Sequence, residues 1–264
     1  MTPNATLYIA LAFYAAGTAV ALLSLFAREH RAQYLGLALM VIGWVSHTVW
    51  IGSICVRTGH PPITNLPEAA SFVAWTVFLA ELILFLRYRV PAAAFFVYPL
   101  VLMLLTLTAV VREPFVHLDP SLRSNLFIMH VFLSTVGVAA LLVGLAFTTL
   151  AQVQDSNLKT KRRGKLWEWI PSLNVCRTLS YRTLAIGFAI YTVGLLTGIV
   201  WSSRTTSELV EPRVKQIGAI VAWIFFGLLL QQYISGGYRG RRTAVISACA
   251  FVAILVAILG IHRV

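Results

Sequence analysis

The sequence predicts an all-α, polytopic membrane helix bundle with eight transmembrane helices and both termini on the outer side. Three observations carry this. The 264-residue chain is 59% hydrophobic and only 11% charged, whereas soluble domains run at about 45–50% apolar and about 25% charged. Its apolar residues gather into eight long runs without the two-residue alternation of barrel strands. Its basic residues fall mainly in every second loop. The bilayer admits only helices or closed barrels, because no water there satisfies open backbone groups.

The runs cover about 7–26, 34–54, 69–86, 91–111, 126–150, 180–201, 216–235 and 243–261. Most reach the roughly 20 residues that cross about 30 Å of hydrocarbon. The first follows an uncharged Met1-Thr2-Pro3-Asn4, unlike the basic start of a secretory signal, and is read as a retained helix. Before the third run, Pro61 and Pro62 stiffen the loop. Pro67 suits a first helical turn, Asn65 suits the cap before it, and Glu68 suits the positive end of the helix. In the sixth run Gly187, Gly194 and Gly198 permit close helix approach. The loop at 151–179 starts polar and becomes amphipathic, with Trp167-Glu168-Trp169-Ile170-Pro171 reading as an interfacial segment. No linker divides the chain, so it is read as a single transmembrane domain, 1–264.

The net charge of +12 would raise nucleic acid as a partner in a soluble protein. Here the charge sits in short loops between spans, so the expected partner is the lipid bilayer and no nucleic acid. One set of alternate loops holds fourteen basic residues: Arg28, Arg31, Arg87, Arg89, Lys159, Lys161, Arg162, Arg163, Lys165, Arg177, Arg182, Arg239, Arg241 and Arg242. The other holds seven: Arg57, Arg112, Arg123, Arg204, Arg213, Lys215 and Arg263. The positive-inside rule places the richer set in the cytoplasm. Three scattered cysteines, Cys55, Cys176 and Cys249, fit neither a disulfide framework nor a zinc site.

Ionisable groups inside apolar runs are costly, and each is a candidate site. His47 lies in Trp44-Val45-Ser46-His47-Thr48-Val49-Trp50, with an indole one turn to either side. It reads either as a metal ligand between aromatic walls or as a hydrogen-bonded structural histidine. His130 opens the fifth helix at its outer end, and His262 ends the eighth on the same side. His30, His60 and His117 read as solvated loop residues. Glu81 sits near Arg87 and reads as a structural ion pair.

The stretch Gly59-His60-Pro61-Pro62-Ile63-Thr64-Asn65-Leu66-Pro67-Glu68, followed by Phe72 and Trp75, resembles a "G-H-x-P-x-x-N-x-x-E-x-x-x-F-x-x-W" pattern. That pattern belongs to the membrane proteins that assemble c-type cytochromes: the system II synthase subunit, its system I counterpart and HemX-like proteins. Met129-His130-Val131, Ile170-Pro171-Ser172-Leu173, Ser180-Tyr181-Arg182, Ile186-Gly187-Phe188, Gly194 to Trp201 and Gly237-Tyr238-Arg239-Gly240-Arg241-Arg242 follow in the family's order. The family's Trp-rich outer loop has no counterpart, since no tryptophan stands between Trp201 and Trp223. Gln231, Gln232 and Tyr233 stand where the family carries a later histidine.

The resemblance implies haem as the bound group, with His47, His130 and His262 as its metal-ligating residues. His262 would be the partner of His130, and His47 a deeper and independent ligand. It implies a multi-pass protein of a bacterial inner membrane that presents haem at the outer face to apocytochrome c or other cytochrome c assembly subunits. It would be at most part of a haem lyase system, with no catalytic side chain of its own. The alternative is a HemX-like accessory that regulates haem synthesis through the 151–179 loop without binding haem. A solute transporter is the third class, but no matching pair of broken helices points to it. The orientation is open to direct test: a reporter that fluoresces only in the cytoplasm, fused to the C-terminus, is expected to stay dark, and strong fluorescence would invert the topology.

Overall fold

In the computed structural model, which describes residues 3–27, 29–62, 65–111, 124–161, 169–205, 214–236 and 240–259, every long element is a helix. They are α1 (Pro3–Ala27), α2 (His30–Thr58), α3 (Leu66–Tyr88), α4 (Ala94–Val110), α5 (Asn125–Thr160), α6 (Leu173–Thr205), α7 (Val214–Ile234) and α8 (Gly240–Leu259), with a 3-10 turn at Pro91–Ala93 before α4. All eight are long and apolar enough to cross a membrane. Many of their large apolar side chains stay exposed, among them Leu23, Val56, Phe132 and Ile186. Lipid, not water, is the solvent such a surface suits.

The contacts within the chain gather into two compact units. The first comprises Met1–His117 with Lys161–Pro171, and the second Leu118–Thr160 with Ser172–Val264. In the first unit α1 runs along α2, α3 along α4, and α1 also meets α4. In the second, α5 runs along α6 and α7 along α8, with α5 also on α8 and α6 on α7.

Glycines set the closest helix pairs. A Cβ built on Gly17 would lie 2.9 Å from the Gly36 carbonyl oxygen, so α1 and α2 touch almost backbone to backbone. Along α5 and α6 the same device recurs. A Cβ on Gly137 would meet the Tyr191 backbone at 2.7 Å, and one on Gly187 would meet the Leu141 nitrogen at 2.9 Å. Without a hydrophobic drive between helices in lipid, this close approach supplies the dispersion and weak polar contacts that hold them.

Helix ends follow local chemistry. α2 stops at Gly59, whose φ of 75° is left-handed and whose N–H donates to the Cys55 carbonyl. Asn65 caps α3 as expected: its Oδ1 accepts from the Glu68 N–H at 2.9 Å, and its amide donates to Glu68 Oε1 at 3.3 Å. Pro67 occupies the first turn, where its missing N–H costs nothing. Its carbonyl accepts from Thr108 Oγ1 at 2.9 Å, which ties the start of α3 to the end of α4. At the other end of this unit Ser24 Oγ donates to Gln33 Oε1 at 2.6 Å, and Gln33 donates onward to the Pro91 carbonyl at 3.1 Å.

Two expectations about the long loop change. The segment read as loop from 151 is helical to Thr160, and α6 begins at Leu173 rather than near 180. The extra turns are polar and therefore do not look like a span. They are held by Lys159 on Asp155 four residues back and by Arg177 across from α6. Of the Trp-containing segment, Trp169 and Ile170 are buried in the first unit, with Trp169 edge-on to Phe95 at 5.9 Å. Trp167 and Glu168 lie outside the described residues.

Two substitutions check this packing. Gly137→Ala is expected to destabilise by about 1–3 kcal/mol, the usual range for overpacking a tight interior. Gly52→Ala, where nothing lies within 4 Å of the new Cβ, should be neutral or mildly stabilising. Thermal unfolding in detergent should separate the two by several degrees. In the same assay Asn65→Ala is expected to cost about 1 kcal/mol.

Candidate functional site

His47 is fully buried in the first unit, between three helices. From α3, Ser71 Oγ lies 2.7 Å from its Nε2. From α1, the Tyr14 hydroxyl lies 3.4 Å from its Nδ1. Gly43 makes room for Tyr14, since a Cβ there would lie 2.7 Å from the Tyr14 ring. The Tyr14 ring stands edge-on to the imidazole at 5.9 Å and 79°, and Trp50 lies tilted at 5.9 Å.

Trp44 does not form the second wall expected from the sequence. It stacks on Trp75 at 5.3 Å and 20°, and its N–H donates to the Trp75 carbonyl at 3.3 Å. The reason is helical geometry: Trp44 and Trp50 are six residues apart, so they diverge by roughly 120° around the helix. Trp50 Nε1, by contrast, is buried and has no hydrogen-bond partner.

His130 belongs to the second unit, near the start of α5, and is half-buried. Its Nδ1 lies 2.7 Å from the Gly194 carbonyl oxygen on α6 and 3.3 Å from Ser134 Oγ one turn along its own helix. A carbonyl oxygen only accepts, so Nδ1 carries the proton and donates. Histidines that bind metals are oriented in this way, with one nitrogen donating to a fixed carbonyl or carboxylate and the other left as the ligand atom. Gly198 gives the ring its place: a Cβ there would lie 2.5 Å from His130 Cε1 and 2.6 Å from Nδ1. Close by in sequence on the same two helices, Phe127 and Trp201 pack at 4.9 Å.

The bond to Gly194 therefore holds the His130 ring in an orientation and tautomer that fit a haem ligand. His47 has both ring nitrogens engaged and would have to give up Ser71 to bind iron through Nε2. His262 lies outside the described residues, as does His117, so their places are not assigned. Among the described residues no three His, Cys, Asp or Glu side chains cluster to hold a metal ion.

Two other expectations are corrected. His60, read as solvated, is buried. The left-handed turn at Gly59 folds the chain back over the end of α2, and His60 Nδ1 donates to the Pro61 carbonyl at 2.8 Å. Glu81, read as paired with Arg87, is buried with no hydrogen-bond partner on either carboxylate oxygen. Arg87 is exposed and lies over the Tyr88 ring, 5.2 Å from its centroid. Six residues of separation put the two on different faces of α3, where four would have joined them.

Sequence reasoning passed over Tyr14, Ser71, Ser134 and the Gly194 carbonyl. For Ser71 a signal existed: Asn65, Glu68 and Ser71 recur every three residues and so share one face of α3. Nothing local marks Tyr14 or a backbone carbonyl on another helix.

Comparison with known proteins gives the chain's relatives. A cytochrome c biogenesis protein CcsA from Prochlorococcus marinus (strain MIT 9301) is 28% identical over 228 residues, covering 78% of this chain and 74% of the relative. CcsA of Prochlorococcus marinus subsp. pastoris (strain CCMP1986 / NIES-2087 / MED4) is 26% identical over 266 residues, covering 92% and 84%. Among solved structures, the cytochrome c haem lyase CcmF superposes with a TM-score of 0.75 at 16% identity, a likeness of fold. All of this chain is covered, but it spans only 47% of that lyase. These relatives give the HemX-like alternative no support. The profile of the cytochrome c assembly proteins matches residues 63–264, most of the sequence, and the chain belongs to that family.

Proposed function

We propose that this membrane protein of cytochrome c biogenesis handles haem at the outer face of a bacterial inner membrane, for transfer to apocytochrome c or to other subunits of the assembly system. The observation that carries the reading is the hydrogen bond from His130 Nδ1 to the Gly194 carbonyl, which fixes the ring and its tautomer as histidines that bind metals are fixed. Haem is cargo here, and when bound it supplies the iron-porphyrin destined for the cytochrome.

The chain's own residues do four things in this reading. α6 holds the His130 ring through Gly194 and Gly198, so that iron meets an imidazole already turned and in the right tautomer. Ser134 offers that same nitrogen a second oxygen. His262 is the proposed second ligand on the outer side. His47 serves as a deeper ligand only when its bond to Ser71 opens. No side chain is assigned a covalent step, so the protein would contribute to a lyase system by holding and presenting.

Purification of the parent, His130→Ala, His47→Ala and His262→Ala from cells supplied with haem tests this. Loss of a metal ligand's outer partner alone costs roughly 10–100-fold in affinity. His130→Ala is therefore expected to lower haem per protein by at least about tenfold, read from the Soret band. A parent without haem sinks the ligand assignment entirely. Haem that survives all three substitutions places the ligands elsewhere, and loss in His47→Ala alone moves the site into the membrane interior.

A further inference from the structure

The two units repeat one pattern. In the first, a Cβ on Gly17 of α1 would crowd Met40 of α2, one on Gly36 would crowd Ala21, and one on Gly43 would crowd Tyr14. In the second, Gly137 of α5 stands in the same way against Tyr191 of α6, Gly187 against Leu141, and Gly194 against Ser134. A shift of 120 positions carries Tyr14, Gly17 and Ala21 onto Ser134, Gly137 and Leu141. A shift of 151 carries Gly36, Met40, Gly43 and Trp50 onto Gly187, Tyr191, Gly194 and Trp201. The third helices match too: a shift of 148 carries Val73-Ala74-Trp75 and Phe78 of α3 onto Val221-Ala222-Trp223 and Phe226 of α7. Each of these tryptophans donates to a threonine on the second helix of its unit, Trp75 to Thr48 at 2.8 Å and Trp223 to Thr192 at 2.9 Å. Each also stacks on an aromatic ring of that helix, Trp75 on Trp44 and Trp223 on Phe188. Both units are therefore built on one plan, and either shows what the plan requires at a position of the other.

The shift that joins Trp75 to Trp223 carries Glu81 onto Leu229. Both are fully buried, at 1% and 0% exposure. The plan thus asks for a bulky apolar side chain here, and packing does not explain an acid. Pairing does not explain it either. Neither carboxylate oxygen of Glu81 has a hydrogen-bond partner. Helices α1 and α4 contain no charged residue, and the arginines of α2, Arg31 and Arg57, stand at its two ends. On α3 itself Glu68 lies in the first turn and Arg87 in the last. Tyr98 of α4 is close enough to sense a charge on Glu81, and it offers a phenol rather than a cation. Seven residues, or roughly 10 Å of helix rise, separate Glu81 from the end of α3 at Tyr88, so its short side chain does not reach water.

We infer that Glu81 is a proton-binding site, held in the interior of the first unit as the neutral acid. An unpaired carboxylate taken out of water loses hydration that nothing around it returns. A proton cancels the charge and is the one ligand that needs no cavity. It bonds to one carboxyl oxygen, and no other bond forms or breaks. An ionisable group kept inside a span, where the matching unit does without one, marks a functional position rather than a structural one. This reading is independent of any haem site.

Infrared difference spectroscopy of the full-length protein in lipid vesicles at neutral pH provides the test, with Glu81→Gln and Glu81→Leu beside the parent. The parent is expected to show the C=O stretch of a protonated carboxyl, shifted in heavy water and amounting to one carboxyl per chain. Both variants should lose that band completely. Glu81→Leu, which copies the second unit, should also melt no lower than the parent. If the substitutions remove a carboxylate band instead, Glu81 is ionised and the proposal falls. It falls as well if the C=O stretch stays in both variants, since another acid then carries the proton. Should Glu81→Leu fail to fold, Glu81→Gln keeps the shape of the neutral acid and the spectral comparison still decides. Failure of both to fold would make the acid part of the packing and overturn the proposal.

Discussion

Hydrocarbon offers no water to a polar group, and almost every feature of this chain answers to that constraint. Threonines inside the spans return their hydroxyls to the carbonyl four residues back, as Thr76, Thr106, Thr135 and Thr149 do. The two indoles at Trp44 and Trp75 find acceptors on each other's helices. The histidines follow the same rule and reach opposite outcomes. His47 satisfies both nitrogens with side chains that can rotate. His130 satisfies one with a backbone carbonyl that cannot. The exceptions are then informative. Glu81 and Trp50 are buried with polar atoms left unmatched, a costly state in any protein interior.

The glycine seams and the histidines are one design. In each unit the most tightly packed hairpin, α1 with α2 and α5 with α6, is the one that carries the histidine. Close backbone approach brings an imidazole on one helix within reach of a hydroxyl or a carbonyl on the other. A larger residue at Gly43 or Gly198 would displace Tyr14 or His130 itself. Packing and the placement of the histidines therefore cannot be tuned separately here.

The helix count was legible because it rests on composition over twenty residues, and the α3 cap because Asn65, Pro67 and Glu68 act within one turn. The ends of α5 and α6 were not, since polar turns that project beyond the apolar run owe their helicity to Asp155, Lys159 and Arg177 rather than to hydropathy. The candidate histidines were legible as residue types out of place in lipid. Their partners were not, because which atom faces a ring nitrogen depends on helix rotation and on a neighbour that can be more than sixty positions away, as Gly194 is from His130. Trp44 and Glu81 were misplaced because six residues of separation put each on a different face from its supposed partner, and His60 because it is buried beyond the turn at Gly59.

The bond between His47 and Ser71 has a consequence for thermodynamics. An electron-pair acceptor can use Nε2 only in the fraction of molecules whose Ser71 contact is open, and its apparent affinity falls in proportion to that fraction. If the closed form is favoured by about 1.4 kcal/mol, within the range of a single buried hydrogen bond, the loss is about tenfold. The contact that holds the ring in place thus also limits access to its lone pair.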